Sequence, residues 1–405
     1  MAREGEKFPM IEDFTYYTPT KVVFGRGAEN KTGALVAGLG CKKTLLHYGG
    51  GSAERTGLLG RIRESLREAG VSFVELGGVV PNPRLSLVNE GIELCRREGV
   101  DFILAVGGGS VIDSAKAIAY GVADEERGDV WDFYARIRVP RACLPVGSVL
   151  TIAAAGSEMS CSSVITDEAT ETKRGYGNDL CRPKFAVMNP ELTMTLPAYQ
   201  TACGCVDILM HTMERWFGGG GRMELTDGIA AALMRTVIRN AKILMSEPEN
   251  YDARAEVMWA GSLSHNGLTG CGTDGGDWAT HQLEHEIGAL FDVAHGAGLA
   301  AVWGSWARYV YKENPARFAQ FAAEVMGVQP AATDEETALA GIAAMEEFYR
   351  ELKMPVTIRE LGIEPTGAQL KEMAEKCAAK FEGGAAGTMK KLSAEDMEKI
   401  FRAAM

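Results

Sequence analysis

The stretch DFILAVGGGSVIDSAKAIAY, residues 101–120, decides the fold. It opens on a near-continuous apolar run, 101–106, which reads as a strand buried on both faces. Gly107-Gly108-Gly109-Ser110 breaks the run with a tight turn, and 111–120 restores apolar residues at helical spacing. Strand, glycine turn and helix form the repeating unit of a doubly wound parallel sheet. The unit recurs upstream. A strand over 43–48 meets a second turn, Gly49-Gly50-Gly51-Ser52, and then a helix through Leu58, Leu59, Ile62 and Leu66. A third strand follows over 71–76, then a Pro-Asn-Pro turn at 81–83 and a helix through Leu87, Val88, Ile92 and Leu94.

The texture changes after Pro197, where helical periodicity takes over. The pattern predicts helices over 198–217, 225–245, 253–265, 315–326, 337–352, 369–381 and 394–404. Thr333 with Glu336, and Ser393 with Asp396, have the spacing of capping boxes, and the glycines at 218–221 read as a loop. A chain of 405 residues is long for one core. The expected architecture is an α/β domain over 1–196, Rossmann-like with a mainly parallel sheet, followed by an all-α domain over 197–405. The cleft between them is the expected active site.

Composition bounds the function. Apolar residues make up 46% and charged residues 24%, as in a soluble globular protein. A net charge of −12 argues against nucleic acid or an anionic membrane as the main partner. Nine cysteines are scattered, odd in number and without a CxxC pair, which reads as reduced thiols; the close pair Cys203 and Cys205 reads as structural. The start MAREGEKFPMIEDF carries both charge signs and no apolar core, so no signal peptide is expected there. No apolar run approaches the ~20 residues of a membrane span. A cytoplasmic location is the expectation.

The chemistry concentrates in DGGDWATHQLEHEIGALFDVAHGAGLA, residues 274–300, which holds His281, His285 and His295 out of six histidines. Imidazole is the commonest nitrogen ligand of zinc and divalent iron. His281 and His285 are four apart and share a helical face, as do Asp207 and His211 on the helix predicted over 198–217. Together these side chains exceed what a catalytic metal with one open position needs. The two glycine turns let backbone approach a pyrophosphate at a helix N-terminus, and Ser110 adds a hydroxyl. Neither turn fits GxGxxG, since Ile112 and Glu54 occupy the sixth places. The first predicted strand ends in Tyr48 and small residues instead of an acid, with Arg55 beyond, which favours a 2′-phosphate and hence NADP(H) over NAD(H).

The sequence resembles the iron-containing, group III alcohol dehydrogenases, and within them the NADPH-dependent butanol and broad-range aldehyde reductase branch. The matching segments span nearly the whole chain: PTKVVFGRGA at 19–28, YGGGS at 48–52, PNPR at 81–84, GGGSVIDSAK at 107–116, AGSE at 155–158, DILMH at 207–211, GDWATHQLEHEIGALFDVAHGAGLA at 276–300 and MPVTIRELGI at 354–363. The resemblance implies a dehydroquinate synthase-like architecture and one divalent metal, Fe2+ or Zn2+, on Asp207, His211, His281 and His295. It leaves His285 off the metal, beside nicotinamide and substrate, as a proton relay. It also implies that Gly107 to Ser110 hold the pyrophosphate, that Thr151 lies along the cofactor, that Lys173 stands near it, and that the protein is a homodimer. Ala155 departs from the family's TGSE motif, removing one hydroxyl.

The implied reaction is hydride transfer between NADP(H) and short-chain primary alcohols or aldehydes. Relatives by fold, of the dehydroquinate synthase or glycerol dehydrogenase type, are the alternatives; the former requires a basic pocket that the sequence does not show near the histidines. A metallopeptidase reading rests on the literal H-x-x-E-H at 281–285, with Glu284 as base, but leaves Asp207, His211, His295 and both glycine turns without a role. Trp259, Trp278, Phe291 and Trp303 are candidates for an apolar substrate wall.

Overall fold

The computed structural model describes residues 11–405; the first ten residues of the charged start lie outside them. The strands are β1 (Lys21–Phe24), β2 (Lys43–Tyr48), β3 (Ser72–Leu76), β4 (Phe102–Gly107), β5 (Val146–Leu150), β6 (Ser162–Asp167), β7 (Thr172–Gly177) and β8 (Phe185–Met188). Six of them form one sheet in the order β1-β8-β5-β4-β2-β3, and every pairing in it is parallel. β6 and β7 stand apart as an antiparallel hairpin. The sheet is thus wholly rather than mainly parallel. Its strands β1, β5 and β8 are only four or five residues long, β5 and β8 buried and β1 at the edge, so they carry little periodic signal of their own.

The helices up to residue 134 are α1 (Thr32–Gly38), α2 (Ser52–Arg55), α3 (Leu58–Glu68), α4 (Leu85–Glu98), α5 (Gly109–Ala123) and α6 (Trp131–Tyr134). Alternate residues of β2 and β4 feed opposite faces of the sheet. Leu46, Leu104 and Val106 pack with Leu58, Leu59, Ile62 and Leu66 of α3. Leu45, Ile103 and Ala105 pack with Val88 and Ile92 of α4 and with Val111, Ile112 and Ala115 of α5. Both faces are covered, which is why these strands read as unbroken apolar runs. From β2 the chain crosses to β3 on one side, and from β4 it proceeds to β5 on the other. The C-terminal ends of the adjacent strands β2 and β4 therefore flank a topological switch point, the usual ligand crevice of such a sheet. Both glycine turns lie there.

After residue 197 the described elements are helical: α7 (Ala198–Trp216), α8 (Glu224–Ser246), α9 (Tyr251–His265), α10 (Ala279–Phe291), α11 (His295–Val310), α12 (Pro315–Glu324), α13 (Asp334–Glu351), α14 (Gly367–Ala378) and α15 (Ala394–Ala403), with short 3₁₀ turns between them. The capping boxes at Thr333 and Ser393 are formed, and a third, unpredicted one is formed by Thr366 and Gln369. α7 is buried nearly all round, from Thr201 to Trp216. Trp216, Trp303 and Trp306 pack with Phe217, Phe318 and Phe321 in the core of this helical part. All nine cysteines are free thiols.

Residues 151–158 join the two parts. An added Cβ on Gly108 would stand 2.1 Å from Ile152, and one on Gly109 2.8 Å from Ala155. A Cβ on Gly204 of α7 would stand 2.2 Å from the Ala153 carbonyl oxygen. Gly156, at φ +64°, has the Gly261 carbonyl and His265 of α9 within 3 Å of where a Cβ would be. The glycine turn on the sheet is thereby held against the helices that carry Asp207 and the histidines.

Candidate functional site

α7, α10 and α11 bring the predicted acid and imidazoles together although they lie up to 88 positions apart (207 to 295). Ligating atoms of Asp207, His281 and His295 all fall within 4.8 Å of one another. Nε2 of His281 and Nε2 of His295 each stand 3.7 Å from Oδ1 of Asp207. His211, one turn beyond Asp207, places Nδ1 3.5 Å from the same oxygen and stacks on His281 with ring centres 4.7 Å apart.

Oδ1 of Asp207, Nδ1 of His211 and Nε2 of His281 are buried with no hydrogen-bond partner among the described residues. Three unpaired ligating atoms buried side by side are costly. A divalent cation would satisfy them at once, so this residue set fits a metal.

The outer ring nitrogens are held. Glu214 accepts from the His281 backbone N–H at 2.9 Å and from its Nδ1 at 3.0 Å. Glu284 accepts from Nδ1 of His295 and from Nζ of Lys173, the latter at 3.2 Å. A carboxylate on Nδ1 fixes the tautomer that leaves Nε2 free as a ligand. Burial opposes a charge on His281, yet Asp207 and Glu214 carry its pKa up to about 9. Burial likewise works against the Glu284 carboxylate, but His295 and Lys173 hold it down to about 2.

His285 stands differently. Its ring is perpendicular to that of His281 with centres 6.5 Å apart, and its buried Nδ1 has no partner among the described residues. Burial, with Lys173 and Lys380 adding to it, lowers its pKa well below the ordinary value, so the ring is neutral. A second close group, Glu284, His285 and His295, also has ligating atoms within 4.8 Å. The ammonium of Lys173 already occupies Glu284 there, which disfavours a cation. The same ion pair weakens the peptidase reading, because a carboxylate locked to Lys173 and His295 is not a free base.

Other expectations need correction. Trp303 is fully buried among Phe321 and Tyr349, and Trp259 is 40% exposed on the surface. Phe291 is partly buried against the helical core. Of the four aromatics, Trp278 is the one that faces the histidine rings, with centres 5.3 Å from His281 and 6.0 Å from His211. It caps α10 at φ 61°, a left-handed conformation unusual for a bulky residue, and its Nε1 donates to the Gly275 carbonyl at 2.8 Å. The sequence reading missed Glu214 and gave no role to His265. His265 ends α9 and lies tilted against His211 with ring centres 4.0 Å apart, and Nη2 of Arg215 donates to its Nδ1 at 3.3 Å. Six histidines of which five meet in one place was the available signal.

On the sheet side, α5 begins at Gly109 with Gly108 as its N-cap and no side-chain cap, which leaves backbone N–H groups open at that helix end. Thr151 donates its backbone N–H to the Gly107 carbonyl at 3.1 Å, so it borders the turn. Gly49, Gly50 and Gly51 run from Tyr48 into Ser52 of α2. Glu75 at the end of β3 accepts from Arg63 at 3.0 and 2.9 Å and from the Tyr48 hydroxyl at 3.2 Å. Arg55 makes no ion pair among the described residues, and its guanidinium lies where a Cβ on Gly51 would meet it, 2.6 Å away.

Comparisons with known proteins give the family and the fold. The profile of the iron-containing alcohol dehydrogenases matches residues 19–190, and that of the C-terminal part of the Fe-containing alcohol dehydrogenase family matches 201–405. The chain is 40% identical over 390 residues to NADH-dependent butanol dehydrogenase A of Clostridium acetobutylicum, covering 96% of this chain and 98% of that one. It is 35% identical over 373 residues to the NADPH-dependent aldehyde reductase YqhD of Escherichia coli, covering 90% and 94%. The crystal structure of NADH-dependent butanol dehydrogenase A from Thermotoga maritima superposes with a TM-score of 0.94 at 37% identity, over 98% of this chain and 100% of that one.

Proposed function

The chain belongs to the iron-containing alcohol dehydrogenase family, and from that premise we propose that it moves hydride between NADP(H) and short-chain primary alcohols or their aldehydes. The convergence of Asp207, His281 and His295 carries this reading. With His211 they would hold one divalent ion, Fe2+ or Zn2+, both suited to imidazole and carboxylate. When bound, the ion supplies Lewis acidity at the substrate oxygen, and the dinucleotide supplies the redox chemistry.

The chain's own residues do the rest. Gly107 to Ser110 would cradle the pyrophosphate with backbone N–H groups at the start of α5, and Gly49 to Ser52 would flank the adenosine end, with Thr151 along the cofactor. Lys173, which the resemblance puts near the cofactor, has its ammonium paired with Glu284. His285, neutral and unpartnered at Nδ1, would take the proton released from a substrate hydroxyl and return it in aldehyde reduction. Trp278 would close the substrate side against water.

Support for NADP(H) is the lack of an acid at the end of β2, the engagement of Glu75 by Arg63, and the unpaired Arg55 guanidinium beside Gly51. Against it, the butanol dehydrogenases 36–41% identical to this chain are named NADH-dependent, while the 35% identical aldehyde reductase is named NADPH-dependent. The proposal divides the chain at 196/197 into a cofactor part and a metal part; the core clusters on the sheet and among the helices support it, with Met258 of α9 packing on the sheet side. It includes a homodimer, in keeping with β1 at an open sheet edge with Phe24 exposed. It also includes a cytoplasmic location, in keeping with the free thiols. No helix among the described residues is long and apolar enough to cross a membrane.

Steady-state oxidation of NADPH and of NADH with butanal, on protein of measured metal content, tests the reading. Turnover with NADPH at higher kcat/KM than with NADH is expected. Arg55→Ala should lower kcat/KM for NADPH about tenfold, the size of one charge-assisted contact, and leave NADH nearly untouched. A wild type that prefers NADH would overturn the cofactor assignment.

A further inference from the structure

Lys173 lies on β7, outside both the sheet and the helical core, yet its side chain reaches the metal site. Its ammonium is buried and donates to Glu284 at 3.2 Å, and it stands 3.5 Å from Nδ1 of His295. Glu284 is wholly buried on α10, with one oxygen taken by His295 and Lys173 together and the other left without a partner. Room for this pair is kept by glycine: a Cβ on Gly288 would stand 2.9 Å from Oε1 of Glu284 and 3.2 Å from Nζ of Lys173, and one on Gly298 2.8 Å from Cγ of Glu284. Lys380 fastens the hairpin from behind, donating to the Lys173 carbonyl at 3.2 Å while pairing with Glu286 at 2.5 Å.

A buried carboxylate needs a cation to stay where it is. His295 by itself could turn, since its side chain is 27% exposed, whereas that of His281 is 6% exposed and is held at Nδ1 by Glu214, which also accepts from the His281 backbone N–H. His295 is thus the most exposed of the converging ligands, and Glu284, with Lys173 beside it, holds its outer nitrogen.

We propose that Lys173 is a positioning residue for the metal site: it clamps Glu284 against Nδ1 of His295, so that Nε2 of His295 faces Asp207. The antiparallel hairpin β6–β7 thereby serves as a strut for a ligand on α11. This rests on the metal reading above and differs from a role for Lys173 in gripping the cofactor.

Chelator competition on Zn2+-loaded protein tests it, together with the visible absorption bands of the Co2+ form. Wild type should bind one ion and His281→Ala should not; if wild type binds none, the metal reading itself fails. Given that, Lys173→Met and Glu284→Gln should each weaken Zn2+ binding roughly 10- to 100-fold and shift the Co2+ bands. Lys173→Arg should restore most of the affinity. The double variant Lys173→Met/Glu284→Gln, which leaves no buried charge unpaired, should be no worse than the worse single change. It carries the test if a single variant does not fold. Unchanged Zn2+ affinity in the double variant overturns the proposal, as does a raised KM for dinucleotide in Lys173→Met with metal affinity intact.

Discussion

Asp207 is the residue on which the site turns, since His211, His281 and His295 all approach its buried Oδ1. Its replacement by Ala should remove bound metal and activity together. His285→Ala should keep the metal, because Asp207, His211, His281 and His295 are untouched, and lower kcat by roughly 100-fold, the lower range for a lost general base. Metal analysis beside single-turnover kinetics separates the two; metal loss in His285→Ala would reassign that residue as a ligand. A different histidine reports on stability. His47 is buried in β2 between the Leu76 carbonyl at 2.8 Å and Ser114 Oγ at 2.9 Å, and burial drops its pKa to about 4. The unfolded chain titrates near 6.5. Between those values the unfolded state binds a proton that the folded state refuses. Stability is therefore full above ~6.5 and declines as pH falls towards ~4, by about 3 kcal/mol from this group. Calorimetry from neutral pH downward should show a shallower loss of Tm in His47→Asn than in wild type; parallel curves would refute the assignment.

Among the elements, α7 shows how packing overrides local preference. Gly204 sits inside this helix, where alanine ordinarily gains about 1 kcal/mol. Here the Ala153 carbonyl leaves no room, and overpacking costs of the order of 1–3 kcal/mol. Gly204→Ala should therefore lower Tm and, by pushing 151–155 away, raise KM for the dinucleotide. A stabilised variant would show that the two parts are not in contact there. Seven of the nine helices after residue 197 were legible from apolar residues at helical spacing, and two of them carry the capping boxes read from the sequence, whereas α10 and α11 over the histidine stretch were not bounded. The strands β1, β5 and β8 and the hairpin β6–β7 were not legible, because runs of four to six residues, whether wholly buried as in β5 and β8 or of mixed exposure as in β1, β6 and β7, are too short to show a distinct period.

At the scale of the whole molecule, the site is a junction of three helices and one hairpin around a set of unpaired polar atoms. Metal removal should leave that set uncompensated and loosen α7, α10 and α11 together. Stripping the ion with a chelator should lower Tm by several degrees, and Zn2+ or Fe2+ should restore it, because an ion that binds only the folded form adds its binding free energy to stability. Identical melting of the two forms would place the ion elsewhere. The sequence by itself determined the parallel sheet, the glycine turns, the change to helices near residue 197, and which acid and imidazoles are available as ligands. These follow from short-range rules: periodicity, turn chemistry and i, i+4 spacing. Only the tertiary structure decided that Glu214 meets His281 and Glu284 meets His295, that Lys173 pairs with Glu284, that His265 joins the cluster, and that Trp278 alone of the four aromatics faces it. Glu214 meets His281 across 67 positions and Lys173 meets Glu284 across 111. Spacing fixes which face of a helix a side chain occupies, and packing alone fixes what that face meets.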